Sequence, residues 1–113
     1  MTCIFDFDGA LDKVEGDREF LNELARIYLD EVSILLVAMA HAIEQNDIIA
    51  AAKKAHTIQG ASSYLCAHAV FDAAWDCEQM LPPNTSEEIA TAYERLLQET
   101  ERAKQAIQQV FTF

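Results

Sequence analysis

Residues 17–47 read DREFLNELARIYLDEVSILLVAMAHAIEQND, and the spacing of their apolar side chains decides the fold. Leu21, Leu24, Tyr28, Val32, Leu35, Met39 and Ile43 recur at steps of three and four, the period of one face of an α-helix. Asp17 stands at the N-cap position, and EQND ends the pattern, with Asn46 as a stop and Asp47 as the next cap. The result is one long amphipathic helix whose apolar stripe needs other helices to cover it.

The flanking segments supply them. Towards the C-terminus a helix is expected over about 48–65 and another from about Ala67 to Met80, with Val70, Phe71, Ala74 and Cys77 inward. LPPNTSEE, residues 81–88, is the clearest loop. In it Thr85 and Glu88 form a capping-box pair that opens the last helix. The stripe of that helix is Ile89, Tyr93, Leu96, Thr100, Ala103 and Ile107. Towards the N-terminus, Asp8 can cap a short helix through about Val14, with Gly16 placed to end it. Four substantial helices with short connections point to an all-α, up-down antiparallel four-helix bundle with a short N-terminal helical lead-in. Residues 1–113 make a single domain, too short for two cores.

The first residues pose a competing reading. CIFDFDGALD, residues 3–12, resembles the Asp-x-Asp motif of the haloacid-dehalogenase-type phosphatases, with Asp6 as nucleophile and Asp8 as acid/base. That chemistry requires a parallel sheet several strands wide, with a Ser/Thr, a Lys and more acids at other strand ends. Only Thr2 to Phe7 is extended enough for a strand, and a lone strand has no partner. Asp6 and Asp8 therefore read as a helix cap and its neighbour.

Composition narrows the partners. A net charge of -11 argues against nucleic acid and anionic membranes. Cys3, Cys66 and Cys77 are odd in number and lack CxxC spacing, which suits a reduced, cytoplasmic protein. No apolar run approaches membrane-spanning length, so no membrane insertion is expected. No charged and then apolar leader opens the chain.

The chemistry concentrates in AAKKAHTIQGASSYLCAHAVFDAAWDCEQM, residues 51–80. On a helical wheel Ile48, Ala51, Ala55, Ile58, Ser62 and Leu65 share the core face. His56 falls well off that face, among Ile49, Lys53, Gly60 and Ser63. A glycine inside a helix costs about 1 kcal/mol relative to alanine. Beside His56 its missing side chain would let a phosphoryl group or another protein's backbone approach. An incidental glycine beside an incidentally exposed histidine fits the spacing equally well.

The residues AHTIQGASSYLCA, 55–67, resemble the active-site helix of the histidine-containing phosphotransfer (HPt) domains, whose motif runs roughly A-H-x-L-K-G-[SA]-[SA]. The likeness extends through the lead-in, the Gly-Asp cap, the long helix and the acidic cap before residue 48. It implies a phosphorelay intermediate that carries a phosphoryl group on His56 between aspartates of response-regulator receiver domains. Gln59, Lys53 and Gly60 would support the phosphoryl group, and Ile49, Lys53, Gly60, Ser63 and Tyr64 would dock the partner. Imidazole titrates near ~6.5, so an exposed histidine offers an unprotonated nitrogen at neutral pH. The resemblance implies a phosphocarrier without kinase activity of its own, and no Gly-rich nucleotide loop suggests otherwise. No cofactor is implied, since the partner receiver supplies Mg²⁺. The partners implied are a receiver domain, a hybrid sensor histidine kinase, or both. The chain beginning at Met1 would be either a free-standing monomer or the end of such a kinase.

Two positions depart from the family pattern. Gln59 replaces a usual lysine, which removes one positive charge that Lys53 can offset in part. Cys66 replaces a glycine common at the turn into the next helix. The rival reading, kept alive by Gln59, is a non-catalytic helical adaptor that binds a receiver without phosphotransfer. His41 reads as a surface or half-buried residue and His68 as a surface residue in the first turn of the fourth helix, and with His56 their spacings of 15 and 12 do not suit a helical metal site. Trp75 reads as core edge. Ile49 reads either as the centre of a docking patch or as packed under the lead-in. Lys54, Asp30, Glu31, Glu44 and Glu99–Glu101 read as solvated faces.

Overall fold

The computed structural model describes residues 3–80 and 85–111. Five helices follow in order: α1 (Phe7–Lys13), α2 (Arg18–Glu44), α3 (Ile48–Tyr64), α4 (His68–Glu78) and α5 (Ser86–Val110). No strand forms among the described residues, so no sheet exists that could carry an Asp-x-Asp nucleophile. Nor is any helix among them long and apolar enough to cross a membrane.

The helix starts follow local chemistry. Asp17 accepts a hydrogen bond from the Phe20 N–H, Asp47 from Ala50, and Thr85 and Glu88 form both halves of a capping box. At α1 the cap is Asp6 rather than Asp8. The Asp6 carboxylate accepts from the Gly9 N–H at 3.0 Å, while its own N–H donates to the Cys66 carbonyl at 3.1 Å. That second bond fixes the chain one turn earlier than the sequence alone suggests, and leaves Asp8 in the first turn.

The helix ends share a device. After α1, α2 and α3 the residues Glu15, Asn46 and Cys66 adopt φ of 54°, 58° and 53°. In each case the following N–H reaches back to a carbonyl in the last turn: Gly16 to Leu11, Asp47 to Ala42, Ala67 to Ser62. These are Schellman closures built with non-glycine residues in the left-handed position. Gly16, expected to end α1, lies one residue past that position, also at positive φ. The expected loop residues 81–84 lie outside the described residues.

Residues 45–47 and 65–67 are connectors too short to recross the bundle, so α2, α3 and α4 must run antiparallel. α3 packs between α2 and α4, and α5 closes on α4 and α2. Leu21, Val32, Met39, Ile58, Val70, Leu96 and Ile107 are fully buried, each contributing roughly 1.5–3 kcal/mol. Ala25, Leu36 and Ala42 take inner positions on α2, and Leu24, Leu35 and Ile43 lie half-buried on its flanks. α2 faces both α3 and α5, which broadens its buried stripe beyond a single row.

Polar bonds fix the register. The Tyr28 hydroxyl meets Ser62 Oγ at 2.8 Å in the core, and the Tyr93 hydroxyl donates to the Leu36 carbonyl at 2.7 Å. Burial pushes the Tyr28 phenol up to about 12. At the N-terminal end Phe5, Phe7 and Phe111 form an aromatic cluster. The Arg18 guanidinium lies over two of those rings and donates to the Val110 carbonyl, where a cation suits a helix C-terminus. Trp75 is not core edge: it is 51% exposed on α4, whose inward positions hold Val70, Ala73, Ala74 and Cys77. Those small residues bring α4 too close to its neighbours to admit an indole.

Candidate functional site

The middle of α3 presents His56 to solvent, with its side chain 70% exposed. Ala51, Ala55, Ile58 and Ser62 hold the opposite face in the core. Lys53, Gly60, Ser63, Tyr64 and Ile49 are all exposed. Ile49 is 63% exposed and Tyr64 70%, so Ile49 does not pack under the lead-in, which lies at the other end of α3. There the Lys13 ammonium donates to the Ser63 carbonyl at 2.7 Å.

Sequence reasoning missed the residue that orients the imidazole. Glu78, in the last turn of α4, places Oε1 2.8 Å from His56 Nδ1. A carboxylate only accepts hydrogen bonds, so this contact favours the neutral tautomer with the proton on Nδ1 and the lone pair on Nε2. The side chain of Glu78 is 24% exposed, and its Oε2 is buried with no hydrogen-bond partner. An open groove of about 850 Å³ runs beside the ring, lined by Ile49, Ala52, Lys53, Thr57, Glu78 and Gln79.

Gln59 departs from expectation. It is only 7% exposed and occupies the flank of α3 opposite Ala61, which lines the groove shared with α2. About 60° of wheel rotation from His56 is enough to turn it towards the helix interface. Lys53 thus remains the cation of the groove. Gly60 has open space around it, since a Cβ built there meets nothing within 4 Å. No neighbour in the fold requires a glycine at this position.

A second apolar feature escaped the sequence. Between α2 and α3 a groove of about 340 Å³ is lined by Phe20, Leu24, Ile27, Ala61 and Tyr64, with Lys13 and Glu31 at its rim. Phe20 is 52% exposed and Ile27 46%. Tyr64 joins this groove to the His56 face. His41 is exposed. His68 is exposed in the first turn of α4, beside Asp6 and Cys66 at the α3–α4 turn. Burial, reinforced by Asp76, raises the Cys77 thiol to about 11 and leaves it unreactive.

Comparisons with known proteins bear on this arrangement. The sequence model of the Hpt domain family matches residues 23–110. Over 100 residues, 88% of this chain, the sequence is 31% identical to the phosphorelay intermediate protein rdeA of Dictyostelium discoideum. The alignment covers 39% of rdeA, so the chain spans about two fifths of that relative's length. Among solved structures, the HPT domain of the Hpt sensor hybrid histidine kinase from Shewanella superposes with a TM-score of 0.80. That match covers 95% of this chain and 92% of the other at 21% identity, a likeness of fold.

Proposed function

The chain belongs to the Hpt domain family, and from that premise we propose that it is a phosphorelay intermediate carrying a phosphoryl group on His56. The observation that carries the reading is the His56–Glu78 pair on an exposed helix face. Nε2 attacks the phosphorus of a receiver's aspartyl phosphate. The N–P bond forms as the acyl P–O bond breaks, and the aspartate leaves as carboxylate. Nδ1 keeps its proton throughout, and the ring's gathering positive charge is balanced by the Glu78 carboxylate. The ring keeps its orientation because Glu78 holds it, which limits the entropy lost on reaching the in-line geometry. Lys53 faces the equatorial oxygens. The Mg²⁺ that neutralises the phosphoryl group resides in the receiver.

Docking would use the face around His56. Ile49 and Tyr64 flank the histidine, and Phe20 and Ile27 extend the apolar surface across α2. Gly60 and Ser63 let the partner backbone come close. On this reading the partners are receiver domains, or the hybrid histidine kinases that contain them, and the compartment is the cytoplasm. The protein carries phosphate as a monomer, with no cofactor and no kinase activity of its own.

The test is transfer from a receiver charged with acetyl phosphate and Mg²⁺, scored by intact mass. An acid-labile, base-stable phosphoryl group on the wild type and none on His56→Gln is the expected result. Receiver binding without transfer would sink the phosphocarrier reading and leave a helical adaptor.

A further inference from the structure

The α3–α4 turn gathers three metal-ligating side chains that the phosphotransfer site does not use. Asp6, Cys66 and His68 each offer a ligand atom, and these atoms lie within 4.8 Å of one another. They come from three separate pieces of chain: the cap of α1, the turn itself and the first residue of α4. Two backbone bonds lock those pieces together, from the Asp6 N–H to the Cys66 carbonyl at 3.1 Å and from the Ala69 N–H to the Cys3 carbonyl at 3.0 Å.

The carboxylate is held with one oxygen turned to the cluster. Asp6 Oδ1 accepts the Gly9 N–H. Oδ2 lies over the Gly9 Cα, where a Cβ would come within 2.4 Å of it and 3.4 Å of Cys66 Sγ. Glycine at position 9 therefore leaves room for the carboxylate beside the thiol. Cys66 pays for its place with a left-handed φ of 53°, where glycine would fit without strain. Its thiol is buried, while His68 is exposed and opens a path from solvent.

We propose that Asp6, Cys66 and His68 form a binding site for a single Zn²⁺ ion, clasping the N-terminal segment to the α3–α4 turn. Thiolate, imidazole and carboxylate are the donor types zinc takes in tetrahedral sites. One carboxylate and one thiolate balance the ion's two charges. On binding, the S–H bond breaks, a Zn–S bond forms and the proton leaves to solvent. The Gly9 N–H on Oδ1 then acts as the outer hydrogen bond that orients a ligating carboxylate. The fourth position is left to water. This site is independent of phosphotransfer, because Cys66 lies ten residues beyond His56 at the far end of α3.

The experiment titrates metal-free full-length protein with Zn²⁺ against a chromophoric chelator, and with Co²⁺ as a spectroscopic probe. The expected result is one Zn²⁺ per chain, a thiolate-to-cobalt charge-transfer band, and a melting temperature raised by several degrees. His68→Ala alters only an exposed side chain, and Asp6→Asn keeps a capping oxygen. Each should weaken zinc at least tenfold while leaving the metal-free melt unchanged, and Cys66→Ser should abolish the charge-transfer band. His56→Gln should bind zinc like the wild type. Affinity unaffected by His68→Ala, loss of binding in His56→Gln, or no binding below about 100 μM would overturn the proposal.

Discussion

Replacing Gly60 by alanine separates what the fold needs from what a partner needs. Position 60 lies inside α3, and a Cβ there meets nothing within 4 Å. Alanine therefore fits without strain and should stabilise the helix by about 1 kcal/mol. With an unfolding entropy of about 2.1 cal/mol/K per residue, a domain of this length loses stability at roughly 0.24 kcal/mol per degree near its midpoint. The expected rise in Tm is about 4 °C. The added methyl stands one turn from His56, about 40° around the helix, on the surface the receiver must approach. Reacting groups displaced by about an ångström can lose a hundredfold in rate, so transfer from a phosphorylated receiver should slow at least tenfold. Calorimetry and stopped transfer reactions on the same preparation measure both. A lower Tm would show that the fold uses the glycine after all. A raised Tm with unchanged transfer would refute the argument that position 60 is kept bare for the partner.

Other outcomes follow from particular contacts. Glu78→Ala should slow transfer about tenfold while leaving receiver affinity unchanged, and imidazole ¹⁵N spectra should show Nδ1–H losing its predominance; Glu78→Gln, which retains an acceptor oxygen, should restore the tautomer. Glu15→Gly should raise stability by roughly 0.5 kcal/mol in a urea melt, because relief of the left-handed backbone at 54° outweighs the glycine's extra chain entropy. Stability should decline as pH climbs from about 9 towards 12. The unfolded thiol and phenol ionise first, while burial holds Cys77 up to about 11 and Tyr28 up to about 12 in the folded state. For Tyr28 this amounts to roughly 3 kcal/mol above both ionisations, and Tyr28→Phe should flatten that part of the alkaline limb.

What the sequence reveals and what it hides divides along physical lines. Caps at Asp17, Asp47 and Thr85 are legible because they depend on neighbours three residues away. The exposure of His56 opposite Ile58 and Ser62 is likewise a matter of helical period. Glu78 is invisible to the same reasoning, since it meets His56 across two helices and 22 residues. The shift of the α1 cap to Asp6 depends on the Cys66 carbonyl, sixty residues away in sequence. The burial of Gln59 is hidden too, because a wheel fixes direction without fixing the width of a neighbouring helix. The exposure of Trp75 is hidden for a related reason: alanines on α4 set the packing distance, and apolarity alone does not reveal it.

The three-residue connector between α3 and α4 has a kinetic consequence. His56 and Glu78 lie on helices adjacent in sequence, so their meeting closes only a short loop. Contacts of that kind form early and cost little chain entropy. Pairing the N-terminal segment with the same turn, or Phe111 with Phe5 and Phe7, must instead join distant parts of the chain. The α3–α4 hairpin can therefore assemble its histidine pair while both ends of the polypeptide are still finding their places, and fraying of those ends should leave the pair intact.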